Sequence, residues 1–333
     1  MAKHRIVYLD LVKLFTIYLV ILGHVIAMMV NGYTVGGRLY SLIYSFHMPL
    51  FMLLSGYFVS SSTLNKPFGE FLFAKVQQLL LPAITCTLIV CVYLYIFRGT
   101  VDYRTEVIGN SWFLKTLFVY YVLFYLLKRI EANDWVLFVL SCVILFLIPH
   151  GSTLQINLLF PYFWGGHLLR KYEVLDKIMP SRKFALVFLV VFVGSYSLQR
   201  YLAIPNYIPI NYETIRSQWH LILFRYIVGF SGCMSTISII SALYERLARK
   251  PIVSRIAKYG QWTLGVYVLQ TILVANVFPD TLAWYVESEF LLDVIVAPAI
   301  ASAFLVICLW LIRVLSRNRI VDLLLFGGQY YSN

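Results

Sequence analysis

The sequence predicts an all-α polytopic membrane protein, a bundle of about ten transmembrane helices with both termini cytoplasmic. Three observations predict it. Of the 333 residues, 61% are hydrophobic and 13% charged, the latter about half the share usual in globular chains. Apolar runs of bilayer-spanning length recur from end to end. Basic residues fall in alternate connections. Residues 1–333 therefore read as a single integral-membrane domain with no appended soluble domain. The net charge of +12 would suggest nucleic acid in a soluble chain. Here its distribution assigns it to orientation.

Runs of roughly 17–25 apolar residues place spans at 6–30, 39–59, 78–97, 112–127, 134–149, 154–170, 184–203, 218–243, 262–278 and 289–315. Each is expected to be a helix, because a helix satisfies its own backbone amides in lipid. Span 1 is too long for a cleavable signal, lacks a small-residue cleavage site, and carries Asp10 and Lys13. At 100° per residue, Asp10, Lys13 and His24 share one face. Asp10 and His24 stand about 21 Å apart along the axis. The plainer reading of Asp10 and Lys13 is an i,i+3 ion pair near the membrane surface.

Span 2 contains F-H-M-P-L-F-M-L-L-S-G-Y-F at 46–58. Pro49 frees a backbone carbonyl and kinks the helix, and Ser55 and Gly56 permit close helix approach. His47 lies in the outer half, at the depth of His24, so the two rings can meet. Lys75 stands just before span 3. Span 4 opens N-S-W-F-L-K, putting Trp112 and Lys115 near the outer surface, where Lys115 can snorkel. Span 6 ends in His167, Arg170 and Lys171, on the inner side. Span 8 opens W-H-L-I-L-F-R, with His220 at the surface and Arg225 deeper. An ionisable group in a span costs about 2.5–3.5 kcal/mol on insertion scales, which makes it a functional candidate. Trp112, Trp135, Trp219, Trp262 and Trp284 near span ends read first as an interfacial belt. The five cysteines lack metal-type spacing and read as packing residues, and no metal is expected.

Of the 27 basic residues, 19 lie at the termini or in the loops after spans 2, 4, 6 and 8, with Arg170 and Arg313 at the span ends counted with the loop and tail they adjoin. The other loops hold Arg38, Arg98, Arg104, Arg216 and, at the edge of its span, Arg200, while Lys13, Lys115 and Arg225 fall well inside spans. By the positive-inside rule both termini are cytoplasmic.

The opening R-x-x-x-x-D-x-x-K (Arg5, Asp10, Lys13), with His24 eleven residues later, resembles the signature of the membrane acyltransferase family 3. The 46–58 motif is similar to that family's second helix, especially in its fucose 4-O-acetylase-like branch. W-F-L at 112–114, Y-F-W-G-G-H-L-L at 162–169 and L-G-V-Y-V-L-Q at 264–270 also resemble its later helices. The chain departs from the family at Gln270, where many members carry His, and at Lys75–Gln78, where many carry an Arg cluster.

The resemblance implies an enzyme of the bacterial inner membrane that transfers an acetyl or other short acyl group from cytoplasmic acetyl-CoA to a hydroxyl of a sugar or glycan. His24 would be the base or a transient acyl carrier, in a catalytic set with Asp10, His47 and Arg225. His47 or Arg225 would steady the oxyanion. Arg5, Lys13, Lys75 and Arg170 would bind CoA phosphates, and Lys115, Trp112 and His220 would meet the acceptor. Partners are then acyl-CoA, a free or lipid-linked glycan, membrane lipids and a further copy of the chain. The competing reading is a proton-coupled transporter or flippase, since buried His, Asp and Arg serve transport as well. The topology predicts that alkaline phosphatase fused after residue 333 is inactive in intact cells, whereas a green fluorescent protein there is bright; the opposite pattern overturns it.

Overall fold

A computed structural model describes residues 6–29, 37–147, 154–178, 181–278 and 289–331, all helical or irregular, with no strand among them. The helices include α1 (Val7–Met29), α2 (Arg38–Tyr57), α3 (Phe68–Arg98), α4 (Trp112–Leu127), α5 (Asp134–Leu147), α6 (Ile156–Lys171), α7 (Arg182–Tyr201), α8 (Tyr212–Leu247), α9 (Thr263–Val277), α10 (Leu292–Leu315) and α11 (Arg319–Phe326), with shorter ones in the connections. Each of α1 to α10 coincides with one apolar run of the sequence. Six of them (α1, α2, α3, α7, α8 and α10) are long and apolar enough to cross a membrane by themselves. A seventh crossing results if the short helix Tyr103–Gly109 and α4, which meet at 56°, form one broken span. At 36 residues α8 is about 54 Å long, well beyond the hydrocarbon thickness. Its backbone leaves helical geometry at Gln218, where the apolar run begins.

Three helices, α2, α6 and α8, form the packed centre, and small residues bring them together. A Cβ on Gly56 would lie 1.7 Å from the Phe163 carbonyl oxygen, and one on Gly166 would lie 1.9 Å from that of Leu53. The backbones of α2 and α6 therefore touch on both sides of one crossing, the close approach that small residues permit in lipid. On α8, Gly229 faces the Tyr162 hydroxyl and Gly232 faces the Phe46 ring. By contrast α7 shows an exposed apolar face, with Leu186, Val187, Val190 and Val193 open to the surroundings.

Two polar anchors close one end of the bundle. Asp134, 3% exposed, accepts from Lys128 and Lys171 at 2.6 Å each, and the His167 ring stands 3.5 Å away. That hydrogen bond to Asp134 raises the pKa of Lys171, which keeps its charge. In α11, buried Asp322 accepts the amides of Tyr330 and Tyr331, folding the tail back across α3. Gly327, at φ 69°, lies against the Gln77 carbonyl, where a side chain would both clash and be strained.

Gly166→Val is expected to force α2 and α6 apart and to destabilise the fold by about 1–3 kcal/mol. A lower melting midpoint in detergent checks it, with Gly165→Val as the control, since a Cβ there meets open space.

Candidate functional site

Pro49 has no N–H, so the Ser45 carbonyl four residues earlier loses its helical donor. Both terminal guanidinium nitrogens of Arg225, reaching from α8, donate to that oxygen at 3.4 Å. The same relation recurs in α6. Pro161 releases the Asn157 carbonyl, and the hydroxyl of Tyr226, the next residue on α8, donates to it at 3.2 Å. Adjacent residues of one helix thus satisfy the carbonyls freed by two prolines.

Arg225 is 3% exposed and has no carboxylate partner among the described residues. Its third contact is Gln199 Oε1 at 3.5 Å, and its Nε has no partner. A buried cation held only by long bonds to neutral oxygens is poorly compensated. It is suited to an anion that arrives later.

Arg225 borders a cavity of about 150 Å³ whose walls include His24, His47, Tyr44, Trp112, Asn206, Tyr207 and Tyr267. That volume holds a handful of waters or the reacting edge of a ligand, not a drug-sized molecule. Gly23 permits the approach of α2 beside His24, since a Cβ there would lie 2.9 Å from the Tyr44 ring. No protein hydrogen bond occupies either ring nitrogen of His24 among the described residues. His47 is fixed: its Nδ1 donates to the Ile43 carbonyl at 2.7 Å, with the Tyr44 ring edge-on at 4.8 Å. Nδ1 therefore carries the hydrogen, and Nε2 of the neutral ring is an acceptor. Neutral His47 therefore has no N–H to offer at Nε2, whereas Arg225 has N–H groups only weakly used.

The structure thus brings His24, His47, Arg225 and Trp112 to one cavity. It does not bring Asp10 there, since thirteen residues of α1 lie between Asp10 and His24. Asp10 pairs with Lys13 at 3.3 Å, and the Asp10 carbonyl packs against Gly260. The Lys13 ammonium also lies 3.6 Å from the centre of the Phe58 ring, and Arg170 stands over the neighbouring Tyr57 ring at 5.2 Å. Lys75 bonds Gln78 at 2.9 Å and stands 3.8 Å over the Tyr121 ring. Lys13 and Arg170 therefore gather at the C-terminal end of α2, where the buried Tyr8 hydroxyl lacks a partner. Arg5 lies outside the described residues.

Lys115 and His220 stand apart from the cavity. Lys115 donates to the Val107 and Asn110 carbonyls and so staples the bend before α4. His220 is exposed, edge-on to Trp219 at 6.0 Å. No group of three His, Cys, Asp or Glu side chains is arranged for a metal among the described residues. Sequence reading missed Tyr44, Gln199, Asn206, Tyr207 and Tyr267, which carry no charge. Only Pro49 signalled them indirectly, through the carbonyl it sets free.

The sequence model of the family described as "Acyltransferase domain" matches residues 6–313. Over 181 residues the chain is 32% identical to "Nodulation protein NolL" of Sinorhizobium fredii, covering 50% of this chain and 49% of that protein. Over 298 residues it is 26% identical to "Nodulation protein NolL" of Mesorhizobium japonicum, covering 81% of this chain and 76% of that protein. The chain thus spans about half of the first relative and three quarters of the second. No solved structure matches.

Proposed function

The chain belongs to the acyltransferase family and is an acyltransferase, and from that premise we propose that it carries an acetyl or other short acyl group from cytoplasmic acetyl-CoA to a hydroxyl of a sugar or glycan. It does so as a ten-span protein of a bacterial inner membrane with both termini inside. The observation that carries the reading is the cavity in which an unoccupied His24, a tautomer-fixed His47 and an unpaired Arg225 converge.

His24 takes the proton of the acceptor hydroxyl as its oxygen attacks the thioester carbonyl. Arg225 donates to the resulting oxyanion through N–H groups that the resting protein leaves weakly used. Collapse of the tetrahedral intermediate breaks the carbon–sulfur bond, and His24 returns its proton to the departing thiolate. The products are an acetyl ester and CoA thiol, which balances the exchange. In the alternative order His24 itself is acetylated first and the acceptor then attacks the acyl-imidazole. His47, with its Nε2 lone pair, orders the acceptor hydroxyl or takes up the proton next to His24.

Lys13, Arg170 and Lys75 supply cationic partners for CoA phosphates, and the unpartnered Tyr8 hydroxyl beside them supports a ligand at that end. Lys128 and Lys171 are committed to Asp134 and do not contribute. Asp10 acts there by holding Lys13. The rise from Asp10 to His24, about 21 Å, is the length over which the pantetheine arm must extend.

His24→Ala is expected to lower transfer from radiolabelled acetyl-CoA by about 10²–10⁴-fold at unchanged protein level; normal transfer would falsify both routes. Thioester consumption that fails to depend on this protein would favour transport instead. Pro49→Ala returns an amide to the Ser45 carbonyl and releases Arg225. A fall in kcat of about tenfold, near 1.4 kcal/mol, is expected in folded protein, and Arg225→Met should fall further.

A further inference from the structure

The loop at 202–211, between α7 and α8, is not a passive connection. Its Ile208 and Ile210 are buried with Leu158 and Ile222 in a small core separate from the main one, of the kind that forms under long loops. Asn157 Nδ2 donates to the Ile210 carbonyl at 2.7 Å, and Thr214 Oγ1 to that of Pro209 at 2.6 Å. The Ile204 amide donates to the Gln199 carbonyl at 3.0 Å, and Ala203 takes a φ of 52°, a conformation that persists only where the surroundings fix it. The loop is therefore held in one shape. From it Asn206 and Tyr207 line the cavity that contains His24 and Arg225.

These two residues connect to the chemistry through one buried side chain. Gln199, 1% exposed, donates from Nε2 to Asn206 Oδ1 at 2.9 Å and accepts from Arg225 at Oε1. Asn206 Nδ2 donates in turn to Ser41 Oγ on α2 at 3.1 Å. An amide has two N–H donors and two lone pairs; Oδ1 also accepts from Ser41 Oγ at 3.5 Å, so Asn206 keeps one N–H for a ligand. The Tyr207 hydroxyl has no protein partner among the described residues. An amide N–H that donates, the Tyr207 hydroxyl that gives and accepts, and the nearby Trp112 and Tyr44 rings match a neutral polyhydroxylated ring, its hydroxyls meeting the polar groups and its C–H face the aromatics.

We propose that the 202–211 loop is the acceptor-selecting rim of the site, with Asn206 and Tyr207 binding hydroxyls of a glycoside, and that Gln199 is a positioning residue coupling the rim to Arg225. This rests on the acyl-transfer reading for its chemistry, but binding at the rim is measurable without turnover.

The test uses the full chain in lipid nanodiscs, with acetyl-CoA and the para-nitrophenyl glycosides of fucose, galactose and glucose. Asn206→Ala is expected to change the ratio of kcat/KM among the glycosides by about fivefold or more, as loss of one hydrogen bond does, with the KM for acetyl-CoA unmoved. Gln199→Leu is expected to lower kcat about tenfold with acceptor KM unchanged, the pattern of an interaction felt in the transition state. Asn206→Cys is labelled with a membrane-impermeant maleimide, and millimolar glycoside is expected to slow the labelling. Unchanged ratios in folded Asn206→Ala protein, or labelling of Asn206→Cys that no glycoside slows, overturn the proposal. Protection in the labelling assay together with acetyl-CoA consumption that does not depend on this protein would instead sink the acyl-transfer reading and leave the rim standing.

Discussion

A carbonyl without a donor in a lipid environment must find one inside the protein, and that constraint organises the centre of this molecule. Pro49 and Pro161 each strand one oxygen, and Arg225 and Tyr226 answer both from the same turn of α8. The arrangement brings a guanidinium into the bundle without a counter-ion among the described residues, and it fixes the relative heights of α2, α6 and α8. The glycines then set their separation. Gly56 and Gly166 bring two backbones into contact, so that the carbonyl of Ser45 and the guanidinium of Arg225 meet within a frame that has little slack.

The two ends of α1 differ in how their surroundings meet charge. At one end Asp10 and Lys13 sit beside the aromatic pair that closes α2, with Arg170 over Tyr57. At the other, His24 opens on the cavity. Charges at the first end are compensated by neighbours or by ring faces. Arg225 at the second is compensated only by neutral oxygens. An acyl-transfer reaction develops negative charge at one atom for a moment, and an under-compensated cation is suited to that demand.

Much of this was legible in the residues themselves. Hydropathy located every long helix because lipid imposes one simple rule on all of them. His24 and Arg225 stood out because ionisable groups are scarce in such segments. What could not be read were contacts made by neutral side chains from distant parts of the chain. Asn206 belongs to a short connection with no periodicity, and Gln199 reads as the polar end of a helix; only folding shows that they share a hydrogen bond. Lys115 shows the converse: a lysine inside an apolar run signals function by composition, yet here it closes a bend by bonding two carbonyls. The tautomer of His47 was equally hidden, since it depends on the Ile43 carbonyl lying within reach.

The small core beneath the 202–211 loop has an evolutionary consequence. Ile208 and Ile210 fold against Leu158 and Ile222 rather than into the main bundle, so the loop carries its own stability. Such a segment behaves as an exchangeable cassette. Its cavity-facing positions, Asn206 and Tyr207, can change without disturbing the prolines, the glycines and the histidines of the bundle beneath. On the proposed reading of this rim, a change of acceptor needs few substitutions, and those few fall where the bundle does not have to repack.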